Sequence, residues 1–335
     1  MNSYERVMNC LAGKPVDRMP NMSLVMMFAA KQAGVTYGEF VSDYRLLVEG
    51  NLICYEKFGF DMLCAISDPM REAEGFGAKV IIEPDKVPYS PIKRIQNRAD
   101  ISTLKVVDPS SSRRMNDRIE AVRLMREKAG KDIPVCGWIE GALAESCDLM
   151  AMDEFFMDLF DEEEEVLELL EISAQQAILF AQEQVWAGAD IIGVGDAAAS
   201  LIGPRMYEKH ALPYQKKIIQ AIHDMGAKVK LHICGDLNPV LHLVAQTGAD
   251  IVDADSMVDM KKAVEIMPEN CRVCGNMHPV DVIYNGTTQM VKDDVKRCID
   301  ILKPYHGIIA PGCEIPKDTP VENVIAMQQA IEEYC

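Results

Sequence analysis

The chain has 335 residues, 49% hydrophobic and 26% charged, values that exclude an intrinsically disordered polypeptide and leave room for a large buried core. Acidic side chains outnumber basic ones by 52 to 34, and the net charge of -18 sets the molecule against phosphate backbones and anionic bilayers, so neither nucleic acid nor membrane is expected as a partner. Residues 1–10 hold no apolar signal segment, the apolar run 24–30 is too short to span a bilayer, and the 11 cysteines follow no framework spacing; a cytoplasmic location with reduced thiols is expected.

Eight short β-branched or apolar segments, each leading into a helical pattern, are predicted as strands at 19–25, 61–66, 133–139, 190–194, 228–234, 250–254, 272–275 and 307–310. Alternation of strand and helix predicts a parallel α/β sheet, and eight repeats predict a closed (β/α)8 TIM barrel. The stretch 67–131 is long for one connection and contains a possible hairpin, 77–82 against 87–92, so it is read as an insertion over one end of the barrel. No linker or low-complexity stretch divides the chain, and 1–335 is expected to be one domain.

Further along, the acidic run from Asp161 to Glu165 opens a helical pattern, where carboxylates complement the helix dipole. Gly188, Gly226 and Gly248 each stand where a helix should end, the position at which glycine relieves left-handed strain. Pro204, Pro239, Pro279 and Pro320 each follow a strand end and mark helix starts. The last start is predicted to carry a capping box, with Thr319 as N-cap and Glu322 at the third helical position.

The sharpest chemical feature is His232-Ile233-Cys234 at the end of the fifth predicted strand. Residues two apart on a strand share a face, so imidazole and thiol stand side by side. A lone His-x-Cys is weak, but Cys313 follows the eighth strand, which lies across the mouth of a barrel from the fifth. Two thiolates and one imidazole make a soft set suited to Zn2+, and three protein ligands with an open fourth position characterise a catalytic site. Cys271-x-x-Cys274 has no second pair, and both are read as core or surface thiols. His210, His223, His242 and His306 lie away from the functional rim, while the role of His278 stays open. Carboxylates at strand ends are the other candidates. Glu140 and Asp196 are taken as catalytic; of Asp253 and Asp255 only one can point inward, and alternation does not decide which.

Taken together, Glu140-Gly141 with 146–149, Gly195-Asp196 with Pro204, 231–235 with Asn238-Pro239, Gly275-Asn276, and 310–313 with Thr319-Pro320 form a pattern. It resembles the uroporphyrinogen decarboxylase superfamily, in the zinc-dependent corrinoid methyltransferase branch typified by methylcobamide:coenzyme M methyltransferases. The resemblance implies a TIM barrel, Zn2+ held by His232, Cys234 and Cys313, and Asn276 and Asp253 as cofactor-binding residues. It further implies a small thiol that gains nucleophilicity in the open zinc position, and methylcobalamin presented by a separate corrinoid protein. Glu314 stands where the coenzyme M enzymes carry a small residue; it is a possible fourth ligand or an obstacle to an anionic acceptor. Uroporphyrinogen decarboxylation is the alternative, but Lys31-Gln32-Ala33-Gly34-Val35 lacks the arginines with which that branch binds acetate groups. A non-catalytic zinc or corrinoid-handling protein is a third reading, and requires a closed four-ligand site.

Overall fold

A computed structural model describes residues 1–161 and 163–335. Its centre is a parallel sheet of six strands in sequence order: β1 (Leu63–Cys64), β2 (Val135–Glu140), β3 (Ile191–Gly195), β4 (Lys228–His232), β5 (Ile251–Ala254) and β6 (Arg272–Gly275). Every crossover carries helix, as parallel pairing demands.

Two of the eight predicted strands, 19–25 and 307–310, are not formed as strands. They contribute isolated parallel bridges, Cys274 to Ile308 beside β6 and Asn21 to Ile309, and the Asp61 N–H donates to the Asn21 carbonyl at 2.7 Å. Pro20 and Pro311 carry no N–H, which stops either segment from extending a ladder. The predicted hairpin likewise shrinks to one antiparallel bridge, Ile81 to Tyr89, in a stretch interrupted by Pro84, Pro88 and Pro91. The stretch 67–131 also contains an ordinary crossover helix, Arg113–Ala129, so only part of it is extra.

Alternation along the strands sorts side chains into two cores. Cys136 and Trp138 on β2, Ile191 on β3, Ile251 on β5 and Cys274 on β6 pack into the smaller, inner one. Their neighbours Val135, Ile139, Ile192, Val194, Val229 and Leu231 face the helices in the larger one. Each fully buried aliphatic or aromatic side chain contributes roughly 1.5–3 kcal/mol over its exposed state.

Gly188 and Gly226 end helices with φ of 116° and 87°, whereas Gly248, at φ 88°, lies beyond the helix Leu241–Val244, which Ala245 caps. The acidic run also falls as expected, with Glu163 at the N-cap and Glu164 and Glu165 in the first turn of the helix Glu164–Ala187; Glu162 lies outside the described residues. The capping box does not form. The last helix runs Val321–Tyr334 with Pro320 at its cap and no side-chain cap bond, and the Thr319 hydroxyl is buried without a partner among the described residues. Proline at the cap takes the place predicted for Thr319, shifting Thr319 outside capping range.

Candidate metal and acceptor site

The inner face of β4 carries Lys228, Lys230 and His232 in alternation, and β4 ends so that Cys234 follows at the same parity. Gly235 has φ 99°, a conformation open to glycine, and turns the chain away immediately after the thiol. Across the mouth, Cys313 sits in a loop fixed by the Met277 to Pro311 bridge and by Gly312, where a Cβ would run into the Ser256 backbone nitrogen. These local constraints bring residues 79 apart in sequence to a Cys234 Sγ to Cys313 Sγ distance of 3.9 Å. His232 Nε2 lies 3.0 Å from Cys234 Sγ and 3.9 Å from Cys313 Sγ.

Those three donor atoms lie within 4.8 Å of one another and form a group able to hold a metal ion. Tetrahedral geometry with Zn–S of about 2.3 Å and Zn–N of about 2.0 Å has edges of about 3.5–3.8 Å. Two of the three observed edges are within a few tenths of an ångström of that, and the third needs only a small opening. The carboxylate of Glu314 is not one of the clustered donors.

Electrostatics set the protonation of the trio in the absence of a cation. Burial opposes charge on His232, but the hydrogen-bonded Asp253 and the Cys313 sulfur outweigh it and hold the imidazole proton up to about 10. Hydrogen bonding from Cys234 and then from His232 brings the Cys313 thiol down to about 4, while Cys234, donating to Cys313, is pushed far up.

Asp253 is the inward-facing member of its pair. It is the register partner of His232 across the β4–β5 ladder, its Oδ2 lies 2.9 Å from His232 Nδ1, and its Oδ1 is bonded to the fully buried Lys230. Burial would raise its pKa, but Lys230 and His232 prevail and keep it down at about 2. Asp253 thus orients a ligand; it does not line the cavity. Asp255 instead accepts from the Gly235 N–H at 3.0 Å and supports the turn after Cys234.

The trio opens into a cavity of about 210 Å³. One side is apolar, formed by Leu24, Met26, Ile66, Pro69 and the ring of Trp138, whose centroid is 5.9 Å from that of His232. Trp138 finds space because the facing strand offers Gly193, where any Cβ would overlap the indole, and Gly195, where a Cβ would be 3.1 Å from the indole nitrogen. The polar side holds Asp68, Glu140 and Glu314. Glu140 is buried against Arg71, which donates to it at 2.7 Å; burial still pushes its pKa well above the carboxylate range, against Arg71 and with help from Glu72. Arg114 grips Asp68 with both terminal nitrogens.

Asp196 and Asn276 are placed elsewhere. Asp196 is fully buried and accepts from the Ala144 N–H at 3.0 Å and from Gln215 at 2.8 Å, anchoring the helix Ala142–Leu149. Asn276 donates to the carbonyls of Asp255 and Val258 and so ties down the loop after β5. Neither lines the cavity. His278 caps the turn 279–284 by accepting from the Asp281 N–H at 2.9 Å, while Cys271 and Cys274 are core thiols. Sequence reasoning passed over Lys230, Arg71, Arg114 and Trp138. Lys230 was detectable, since it shares the strand face of His232.

A family model for uroporphyrinogen decarboxylase (URO-D) matches residues 2–334. The chain belongs to that family. Within the URO-D family, the chain is 32% identical to the methylcobamide:CoM methyltransferase MtbA of Methanosarcina acetivorans, over 98% of this chain and 97% of that protein. It is 26% identical to the methylcobamide:CoM methyltransferase MtaA of Methanosarcina barkeri, over 98% and 97% of the two chains. Among solved structures, a methyltransferase from Methanosarcina mazei superimposes with a TM-score of 0.90 at 24% identity, covering 100% of this chain and 99% of that one. This URO-D chain therefore shares its fold with that enzyme. No helix among the described residues is long and apolar enough to cross a membrane.

Proposed function

We propose that this chain is a zinc-dependent methyltransferase that moves a methyl group from a corrinoid on a partner protein to a small thiol. We read residues 1–335 as one cytoplasmic domain whose sheet closes, through the bridges at Asn21, Ile308 and Ile309, into an eight-stave barrel. The observation that carries the reading is the three-donor cluster at the floor of an otherwise small, mostly apolar cavity. Two thiolates, one imidazole and no fourth clustered donor among the described residues suit a catalytic zinc. When bound, zinc supplies a Lewis acid that keeps an incoming thiol deprotonated near neutral pH.

The chain's own residues do the rest. Asp253 fixes the His232 ring and its tautomer, so that Nε2 faces the two sulfurs. Trp138, Leu24 and Met26 exclude water from the acceptor sulfur, which strengthens its nucleophilicity. Glu140, at the cavity wall with a raised proton affinity, is placed to take the thiol proton. The acceptor sulfur then attacks the methyl carbon; the carbon–cobalt bond breaks and its electron pair stays on cobalt. Asp196 and Asn276 act by positioning the helix and loop around the mouth. The decarboxylase alternative is poorly served, because among the described residues the cavity wall holds three carboxylates and no lysine or arginine to pair with a polycarboxylate.

The test is anaerobic mixing of zinc-loaded protein with methylcobalamin and 2-mercaptoethanol, following loss of the methyl-cobalt absorption. Thiol-dependent demethylation that His232→Ala abolishes is expected. Equal rates with and without His232 would remove the proposal.

A further inference from the structure

Resting on the methyltransferase reading, we infer that the acceptor is a thiol whose tail is neutral or cationic, and that Glu314 is the residue that rejects anionic tails. The argument begins with the charge inventory of the cavity. Asp68, Glu140 and Glu314 line it, and no lysine or arginine does. The two guanidinium groups behind this wall are already engaged: Arg114 holds Asp68 through both terminal nitrogens, and Arg71 is shared between Glu72 and Glu140. Arg71 Nη1 lacks a partner, but the residue is fully buried and takes no part in the lining. Asp68 and Glu140 are therefore compensated from behind, whereas no cation is paired with Glu314 among the described residues.

Glu314 also occupies a telling place. It is the residue after Cys313, so an acceptor whose sulfur sits among His232, Cys234 and Cys313 extends its tail past this carboxyl. Glu314 lies close to the Met27 backbone at the start of the helix Met27–Gln32. Its Oε2 is buried and has no hydrogen-bond donor among the described residues. A buried acceptor without a donor favours a ligand that brings one, such as an ammonium or hydroxyl group, and a sulfonate or carboxylate tail brings only further acceptors. Rejection by a desolvated polar group left unpaired is a recognised route to specificity. The net charge of -18 acts in the same direction at longer range, slowing the approach of anions.

The experiment compares three thiols of equal length: 2-aminoethanethiol, 2-mercaptoethanol and 2-mercaptoethanesulfonate. Each is given to the zinc-loaded protein with methylcobalamin, and its binding is read separately from the thiolate charge-transfer band of the cobalt(II)-substituted protein. The expected result is kcat/KM and affinity at least tenfold lower for the sulfonate than for the neutral thiol, with the cationic thiol equal to or better than the neutral one. Glu314→Gln, which keeps the size of the side chain and supplies an N–H donor, is expected to shrink the sulfonate penalty severalfold, mainly through KM. A sulfonate that binds as well as the neutral thiol, or a penalty unchanged in Glu314→Gln, overturns the inference. Failure of all three thiols to turn over while the cobalt band still ranks them would count against the methyltransferase reading alone; absence of any thiol-induced band would sink both.

Discussion

Asp253 Oδ2 stands 2.9 Å from His232 Nδ1, and the two residues are register partners on adjacent parallel strands. A one-residue slip of β5 would turn the carboxylate out to the helices, so the ladder itself sets the orientation of the imidazole. Such partners of metal-binding histidines typically carry a factor of about 10–100 in metal affinity. Asp253→Ala is accordingly expected to weaken zinc binding by about that factor, measured by competition against a chromophoric chelator, while Asp255→Ala should change it far less. Equal losses in the two variants would show that the turn, not the imidazole partner, governs affinity.

Zinc uptake should depend steeply on pH. Without metal, His232 holds its proton up to about 10 and Cys234 holds its own higher still, whereas Cys313 has lost its proton above about 4. Binding between pH 6 and 8 must therefore expel the imidazolium proton and the Cys234 proton, and affinity rises with pH across that range. Calorimetry in buffers of different ionisation enthalpy should report close to two protons released; release near zero would contradict the protonation pattern.

Lys230 and Asp253 form a buried ion pair directly below the metal trio. Removing one partner of such a pair leaves an uncompensated charge and typically costs about 3–5 kcal/mol. Lys230→Met should lower stability by that order in urea unfolding, and the double variant Lys230→Met with Asp253→Leu should recover much of it. No recovery would mean that the cost lies in lost packing.

The helix Ala142–Leu149 carries Glu145, fully buried, with neither oxygen partnered among the described residues. Burial first, and then Glu72 and Asp148, pushes its proton affinity well up, and burial takes Asp148 to about 7. Unfolded, a glutamate titrates near about 4.3. The folded chain thus binds more protons than the unfolded one above that point, so this contribution is complete below about pH 4.3 and is lost as pH rises towards the folded value. Glu145→Gln should flatten the decline and raise stability at pH 8 by about 1–3 kcal/mol. A variant no more stable at pH 8 than the wild type would refute the assignment.

Gly193 faces the indole of Trp138, and any side chain there overlaps it. Gly193→Ala should cost about 1–3 kcal/mol as overpacking and, by displacing the cavity wall, raise the KM for the acceptor. Pairing it with Trp138→Phe should return part of the stability; no return would show that the strain is in the backbone.

The parts of the site that follow strand parity were legible in the sequence. His232 and Cys234 could be set side by side from alternation alone, and Cys313 followed from barrel symmetry. Register is a different matter. Asp253 rather than Asp255 turns inward because β5 ends at Ala254 and leaves Asp255 in the following loop, and no local pattern specifies where the strand stops. Arg71 and Arg114 were missed because their partners, Glu140 and Asp68, lie 69 and 46 residues away. Thr319 was misread as a cap because its sequence context fits one, while the chain places Pro320 there instead. The thin bridges at Asn21 and Ile309 reflect prolines whose effect on a ladder depends on which neighbour needs the missing N–H.

The clasp between Cys234 and Cys313 spans 79 residues, and Glu314 beyond it lies near Met27, close to the start of the sequence. During synthesis the His232 and Cys234 pair emerges long before its third donor, and a product truncated before residue 313 keeps only a two-point soft site with one cavity wall missing. Assembly of the reactive centre is thereby tied to completion of the polypeptide, so a partly made chain cannot expose an activated sulfur to the cell.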